Sequence, residues 1–569
     1  MVNHIVNSGG RLSCIRAPIP LFKSAWANMN LLRFFHTVKY LKPVQVYGRL
    51  WFRLYRPKPD MALAPATRTV RGDWASPCKK PSSFFSPCTF NFLNEVHELK
   101  KISDWNNPEW EKLWLYNLHY FDDLVSCDAE SKKEIHSDLI EKWIQENPPG
   151  TGSGWEPYPN SLRIVNWIKW GLKGNCLSDD ALHSLAVQAR YLLKKIEYHL
   201  LGNHLFANAK ALIFAGLFFY GKEAENWMNK GMQILDKQVK EQVLADGGHF
   251  ELTPMYHSII LEDLLDLINI MNTYSAFPAP EIWRNSIPEM VHWLELMCHP
   301  DGKISFFNDA ALGIAPELRD LKAYAGRLGF SNIDSSQGKV RDVTELTQSG
   351  YVRLQNTRAV LIADVGKIGV DYLPGHAHAD TLSFEFSLQG QRIFVNSGIS
   401  CYGNSRERLM QRGTACHNAL TIDGKDSSEV WAGFRVAQRA CPVGLELDVQ
   451  SEDVLRIKCG HDGYTRLKGR DKPIHWREWL LCDDFLEIKD HVTGNCPEIK
   501  VFYHLYPGAA VDLQKKKICL DDIDISFQTD AEVILKDTFF YPEFGKSIPN
   551  KCLVLTPEKD TCNIKFEWV

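Results

Sequence analysis

No Cys-x-x-Cys pair occurs anywhere in this 569-residue chain, and no apolar run reaches the roughly 18 residues that would span a bilayer. Positive charge is not in excess either, with 65 Lys and Arg against 69 Asp and Glu. The first absence argues against zinc ribbons and thioredoxin-like redox motifs. The second excludes a membrane-spanning helix, so no membrane partner is expected. The third removes the basic balance of a nucleic-acid protein, although a local basic cleft for an acidic polymer is compatible with a net charge of −4. The 15 cysteines are odd in number and widely scattered, which reads as buried thiols in a reducing compartment. The opening stretch "MVNHIVNSGGRLSCIRAPIPLFKSAWANMN" lacks the apolar core and small-residue cleavage site of a secretory leader. A cytoplasmic protein is therefore expected, with a periplasmic or secreted one left open. Residues 1–28 read as an extension or a misplaced start.

What is present changes character near residue 340. From about 95 to 330, segments such as "DALHSLAVQARYLLKKIEYHLLG" and "SIILEDLLDLINIMNTY" carry apolar residues at i, i+3, i+4 and i+7, separated by breakers such as "NPPGTGSG". Serial amphipathic helices with short links predict antiparallel pairs, stacked as a solenoid or closed into a toroid. From about 345 the period becomes two, in "GYVRLQNTRAVLIADVG", "TLSFEFSLQGQRIFVNSG" and "HWREWLLCDDFLEIKDHV", which predicts an antiparallel β-sandwich. The expected architecture is multidomain α+β: an N-terminal extension and helical lead-in over 1–95, a helical toroid over 96–335 and a sandwich over 340–569. A chain this long exceeds one core.

Three stretches carry the chemistry. In "GNHLFANAKALIFAGLFF" (202–219), Gly202 is expected to end one helix and Asn203 to cap the next, with Ala207, Ala211, Leu212 and Ala215 on its packed face. In "DGGHFELTPMYHSIILEDLLDL" (246–267), Pro254 opens a helix and Tyr256 and His257 fall in its first turn. "PGHAHADTLSFEF" (374–386) sets His376 and His378 two apart before an alternating run, so on a strand they share a face. Each stretch alone is equally compatible with capping and packing. The turn "GWEPYPNSLRIVNWIKW" offers Trp155, Tyr158, Asn160 and Arg163 to a sugar, although any single aromatic also reads as a core filler. Prolines on both sides of Tyr158 argue against a helical interior there.

Taken together, the Asn-His, Met-Tyr-His and His-Ala-His-Ala-Asp stretches resemble the heparinase II/III-like polysaccharide lyases, over roughly residues 30–510 and including "FVNSGISCYGNSRERLMQRGTACHNALTIDGKDSSEVW". The resemblance implies an incomplete (α/α) toroid followed by an antiparallel sandwich. It implies cleavage of a uronic-acid polysaccharide by β-elimination, with Asn203, His204 beside it, Tyr256 and His376 as the catalytic set. It also implies a metal site, often zinc, using His378, the position of Asn396 and His417. Asn396 stands where the family carries an acid, and neutral Asn is the poorer zinc ligand. Zinc and a purely hydrogen-bonded network both stay open here, with Asp380 as a substitute ligand or an orienting group. Arg406, Arg408 and Arg412 are expected to bind carboxylate or sulfate or to form a solvated loop, and His257, Asn308 and Asp309 to face the cleft.

A uronyl C5-epimerase needs the same proton abstraction and is the near rival. A glycan-binding or assembly protein on this scaffold is the distant one, and it has no use for a base. A hydrolase on a helical toroid needs two carboxylates across the cleft, and no convincing pair is found. The expected partner is an acidic polysaccharide and the expected state a monomer or homodimer.

Overall fold

The computed structural model describes residues 31–569 apart from 87, 276–277, 331–340, 452–453, 468, 495 and 497. The expected extension over 1–28 and the expected boundary at 335–340 lie outside the described residues. Helices α1 (Leu31–Val38) and α2 (Pro43–Leu54) lead in. A three-stranded antiparallel sheet follows, made of β1 (Phe84–Ser86), β2 (Thr89–Phe92) and β3 (Glu95–Glu98). The sequence reading expected only helix here. These strands are too short to show a period, and they are held from outside: the Asp123 carboxylate accepts the N–H groups of Ser83 and Phe84 at 2.7 and 3.0 Å.

The toroid contains α3 (Lys112–Tyr120), α4 (Lys133–Glu146), α5 (Pro157–Leu172), α6 (Asp179–Lys194), α7 (Gly202–Phe218), α8 (Lys222–Gln242), α9 (Pro254–Tyr274), α10 (Glu281–Leu296) and α11 (Leu318–Arg327). Helix α7 touches α5, α6, α8 and α9 and is buried on every side, so its apolar residues form no single stripe. Its hairpin with α8 closes because Gly216 lies against the backbone of Ala224 and Met228, and Gly231 against that of Ala209 and Ile213. Helix α6 stops at Lys194, eight residues before the Gly202 that was expected to end it. Over 195–201 the chain turns, and the Glu197 N–H bonds the Asn208 side chain at 2.9 Å.

The C-terminal half is antiparallel throughout. β4 (Asp342–Leu346), β5 (Tyr351–Gln355), β6 (Ala359–Asp364), β7 (Phe384–Leu388) and β8 (Gln391–Phe394) form one sheet in that order. A four-stranded sheet ends on β9 (Leu420–Ile422), and an eight-stranded sheet runs from Pro442–Ser451 to Ala510–Asp512. β6 is buried on both faces: Leu361 and Ala363 join the sandwich core, while Val360 and Ile362 pack with Trp293 and Met297 of the helical domain. The two halves share that apolar seam, reinforced by His299 on Glu385 at 2.9 Å and Arg392 on Asp301 at 2.8 Å.

Two expectations are corrected. The stretch 374–382 is an irregular loop; the strand begins only at Phe384. Of the cysteines, Cys78, Cys298, Cys459, Cys552 and Cys562 are buried, but Cys127, Cys176 and Cys441 are exposed, so burial holds only in part. Among the described residues, no helix is long and apolar enough to cross a membrane.

Candidate active site

The site lies where the start of α7, the start of α9 and the 374–382 loop meet. Helix α7 begins at Gly202, with Leu201 as its N-cap at φ 63°. Asn203 is therefore inside the first turn and does not cap. Gly202 has φ +52°, and a Cβ there would stand 2.5 Å from Glu251 Oε1, so the turn requires glycine. The Asn203 N–H bonds the Glu251 carboxylate. Among the described residues, the Asn203 side-chain amide has no protein partner, which leaves its donors for a ligand. His204 Nδ1 lies 3.2 Å from Glu197 Oε2, and its ring lies 4.4 Å from that of Tyr158. Burial disfavours the His204 cation, but the charge of Glu197, its hydrogen bond and Glu251 outweigh this and raise the imidazole pKa.

Pro254 occupies the first turn of α9, as expected, and sets Tyr256 facing the loop. The Tyr256 ring lies 4.1 Å from that of His376, and its hydroxyl shares a 3.0 Å hydrogen bond with Tyr402. Burial, and then Tyr402, push the Tyr256 phenol well above its usual range. His376 Nδ1 lies 2.8 Å from Asp309 Oδ2 and Nε2 lies 3.9 Å from Glu251 Oε2. The Asp309 carboxylate, as acceptor, assigns the proton to Nδ1 and leaves the Nε2 lone pair toward Glu251.

Asp309 is the hub. It is fully buried, receives His376 and His378 at 2.8 Å each, and is clasped by both guanidinium nitrogens of Arg408. Burial opposes its ionisation, but Arg408 and the two histidines hold its carboxyl well below the usual range. Glu251 is the opposite case. Burial raises its pKa, and Oε2 has no hydrogen-bond partner among the described residues. The sequence reading expected Asp309 only to face the cleft and did not single out Glu251. Both were signalled by an acid inside an apolar run ("SFFNDAAL", "GHFELTPM"), where burial demands a partner.

Several expected sugar contacts are instead structural. Arg163 is buried and spends its guanidinium on Gln188, His119 and Asn160, while Asn160 bonds Gln188 O. Trp155 is buried with its indole on Asn147 O. His257 bridges the His249 N–H and Met290 O beneath Trp293. Asn308 is consumed by Leu252 O and the His378 N–H. Arg412 is buried on the carbonyls of Ala377 and Ala432, so it shapes the histidine loop. Arg406 is exposed. Only Tyr158 of its turn faces the site, and it does so within the first turn of α5, where Pro157 and Pro159 break no hydrogen bond.

Behind Asp309, His378, Asp380 and His417 bring one donor atom each within 4.8 Å of one another. His417 Nδ1 donates to Gly413 O at 2.8 Å and His378 Nε2 to Asp309, so two lone pairs face each other at 3.1 Å. Burial lowers His378 to about 4 and His417 to about 3, keeping both neutral at pH 7. Neutral imidazoles with converging lone pairs beside a carboxylate suit a zinc ion. Asn396 is not part of this set. Its carbonyl accepts the Asn418 N–H and its amide reaches Ser383, so Asp380 takes the place the sequence reading assigned to Asn396.

A helical toroid abutting an antiparallel sandwich, with Asn, Tyr and His meeting at their junction, is the layout of a polysaccharide-lyase class. Residues 90–326 match the heparinase II/III N-terminus and residues 338–569 the heparinase II/III-like C-terminal model, so the chain belongs to the heparinase II/III family. It is 28% identical to a heparin-sulfate lyase of Bacteroides stercoris over 249 residues, 40% of this chain and 37% of that protein. A heparin-sulfate lyase of Bacteroides thetaiotaomicron is 26% identical over 426 residues, 66% of this chain and 58% of that one. The matches thus span less than two thirds of these relatives' own lengths. A heparinase III crystal structure superposes with TM-score 0.63 at 20% identity, over 80% of this chain and 76% of that one. The heparan sulfate lyase of Pedobacter heparinus gives 0.56 at 18%, over 92% and 87%. At these identities the structures support the fold alone.

Proposed function

We propose that this chain is a polysaccharide lyase that cleaves a uronic-acid-containing, glycosaminoglycan-like polymer by β-elimination. The observation that carries the reading is the Asn203–Glu251–His376–Tyr256 junction, with the Asn203 amide unspent and the His376 tautomer set by Asp309. The difficult step is removing the C5 proton beside a carboxylate, because charge then accumulates on that group. Hydrogen bonds from the Asn203 amide to the uronate carboxylate offset this charge where it develops. His376 Nε2 is oriented to take the proton. Tyr256, kept protonated by burial and Tyr402, is suited to donate to the leaving glycosidic oxygen. The bond from C4 to that oxygen breaks as the C4–C5 double bond forms. His204, packed against Tyr158 and held by Glu197, is assigned an assisting part at the carboxylate.

The triad His378, Asp380 and His417 is proposed to hold zinc. When bound, the ion supplies a fixed positive charge behind Asp309. Metal analysis of the purified protein, with His417→Ala and Asp380→Asn expected to lose the zinc, tests this apart from activity.

The function is tested by incubating the protein with a panel of uronic-acid polysaccharides and following the ultraviolet absorbance of an unsaturated uronide. A rise with the wild type, absent in Tyr256→Phe, supports the lyase. Proton exchange at C5 without absorbance points to the epimerase. Binding of a polysaccharide with neither change points to a glycan-binding protein.

A further inference from the structure

Helix α2 presents two opposite faces to very different surroundings. One face is docked: the buried Gln45 side chain donates to Tyr372 O at 2.9 Å, Gly48 lies under His199, and the Phe52 ring lies 4.3 Å from the His199 imidazole. The other is an apolar stripe open to water. Val46, Leu50 and Leu54 follow one another at i, i+4 and i+8, and Tyr47 and Trp51 lie beside them. All five are at least 62% exposed. Trp51 stacks on Tyr55 with centroids 5.1 Å apart, and Phe35 of α1 adds a further exposed ring. Scattered apolar side chains are normal on a protein surface, but a continuous stripe of this kind marks a contact.

The stripe is flanked by cations. Arg49 and Arg53, one turn apart, line one edge, and neither forms an ion pair among the described residues. Arg435, from the hairpin that also carries Phe434, stands close enough to Arg49 to depress its pKa, after burial and ahead of Arg53. Nearby acids are already committed: Glu429 is paired with Arg33 and Glu241 with Lys42. Apolar and aromatic side chains on one arc, with arginines along its border, are what a helix lying in a lipid–water interface requires. A second copy of this chain is the poorer occupant. A two-fold contact through the stripe would bring the unpaired arginines of both copies together.

We infer that α2 is a membrane-surface docking helix, which seats its Val46–Leu54 stripe among the headgroups of an anionic bilayer with Arg49, Arg53 and Arg435 on the lipid phosphates. This differs from the membrane spanning that the hydropathy of the chain excludes. Because α2 rests on His199, just ahead of the turn into Asn203, docking holds the start of α7 next to the membrane. The inference stands independently of the proposed reaction.

The test is flotation of the full chain with vesicles of phosphatidylethanolamine and phosphatidylglycerol, against vesicles of phosphatidylcholine alone. The expected result is binding to the anionic vesicles that weakens as salt is added. Arg49→Gln and Arg53→Gln are each expected to weaken it about fivefold. Trp51→Ser is expected to weaken it too, with the melting temperature of all three variants unchanged. No flotation with anionic vesicles overturns the inference, as does binding that ignores these substitutions. A dimer in sedimentation equilibrium that Trp51→Ser dissociates, without vesicle binding, overturns it in favour of a second copy.

Discussion

Asp309 illustrates how a residue with no access to solvent shapes the reactive groups. Its two oxygens divide two imidazoles and one guanidinium among them, which fixes a proton on His376 Nδ1 and on His378 Nε2. Asp309→Asn keeps the size but replaces one acceptor by a donor. We expect kcat to fall about a hundredfold or more, with KM little changed, because proton transfer and not binding is impaired. The same variant leaves Arg408 buried and unpaired and is expected to cost about 3–5 kcal/mol in denaturant titration. Tyr256→Phe removes the proposed proton donor while leaving the ring on His376, so about a hundredfold or more in kcat should disappear without a stability change of comparable size. That Asn203, Tyr256 and His376 would come together was foreseeable because three separate stretches matched one family's pattern. Glu251 and the part of Asp309 as a hub were not, because an isolated acid shows its role only when its partners, up to about a hundred residues away, are in place.

At the scale of elements, the α7–α8 hairpin is set by glycines that admit the partner backbone. A Cβ on Gly216 would lie 2.5 Å from Met228 N and 2.6 Å from Ala224 O. Gly216→Ala is therefore expected to destabilise by about 1–3 kcal/mol, since backbone must move. Gly326 in α11 has nothing within 4 Å of its added Cβ, and Gly326→Ala is expected to stabilise by about 0.5–1 kcal/mol through helix propensity alone. Urea titration of the pair separates packing from propensity. Apart from the short β1–β3 sheet, the period-3.6 and period-2 patterns placed the helices and strands, as in β7–β8, where Gln389 and Gly390 at positive φ make the hairpin turn. They failed at the histidine loop. The apolar–polar alternation of "HAHADTLSF" imitates a strand, yet Arg412 and Thr414 take the backbone carbonyls of Ala377 and Ala379 that a strand would pair.

On the scale of the whole molecule, the two domains meet at a buried carboxylic acid. Burial pushes Glu385 up to about 7, and His299 is held well below its usual value, so below pH 7 a neutral acid faces a neutral imidazole at 2.9 Å. A carboxyl whose folded pKa lies above its unfolded value binds more protons when folded. Its contribution is present below about 4.5 and is lost as pH rises through about 7, a change of roughly 3 kcal/mol. Thermal unfolding should show this loss across that window in the wild type, and Glu385→Gln, which cannot ionise, should flatten it. The sequence by itself determined the two-part architecture, because hydrophobic period is a local property that needs no partner. It brought Asn203, Tyr256 and His376 forward as candidates, because the three stretches together resemble one family's pattern. Only the tertiary structure decided which polar residues are available. Arg163, His257, Asn308 and Arg412 look like ligands in one dimension, but burial forces each to satisfy its hydrogen bonds inside the protein. Asn203 and the imidazole edge of His376 remain unspent because their neighbours across α7, α9 and the 374–382 loop satisfy their hydrogen bonds elsewhere.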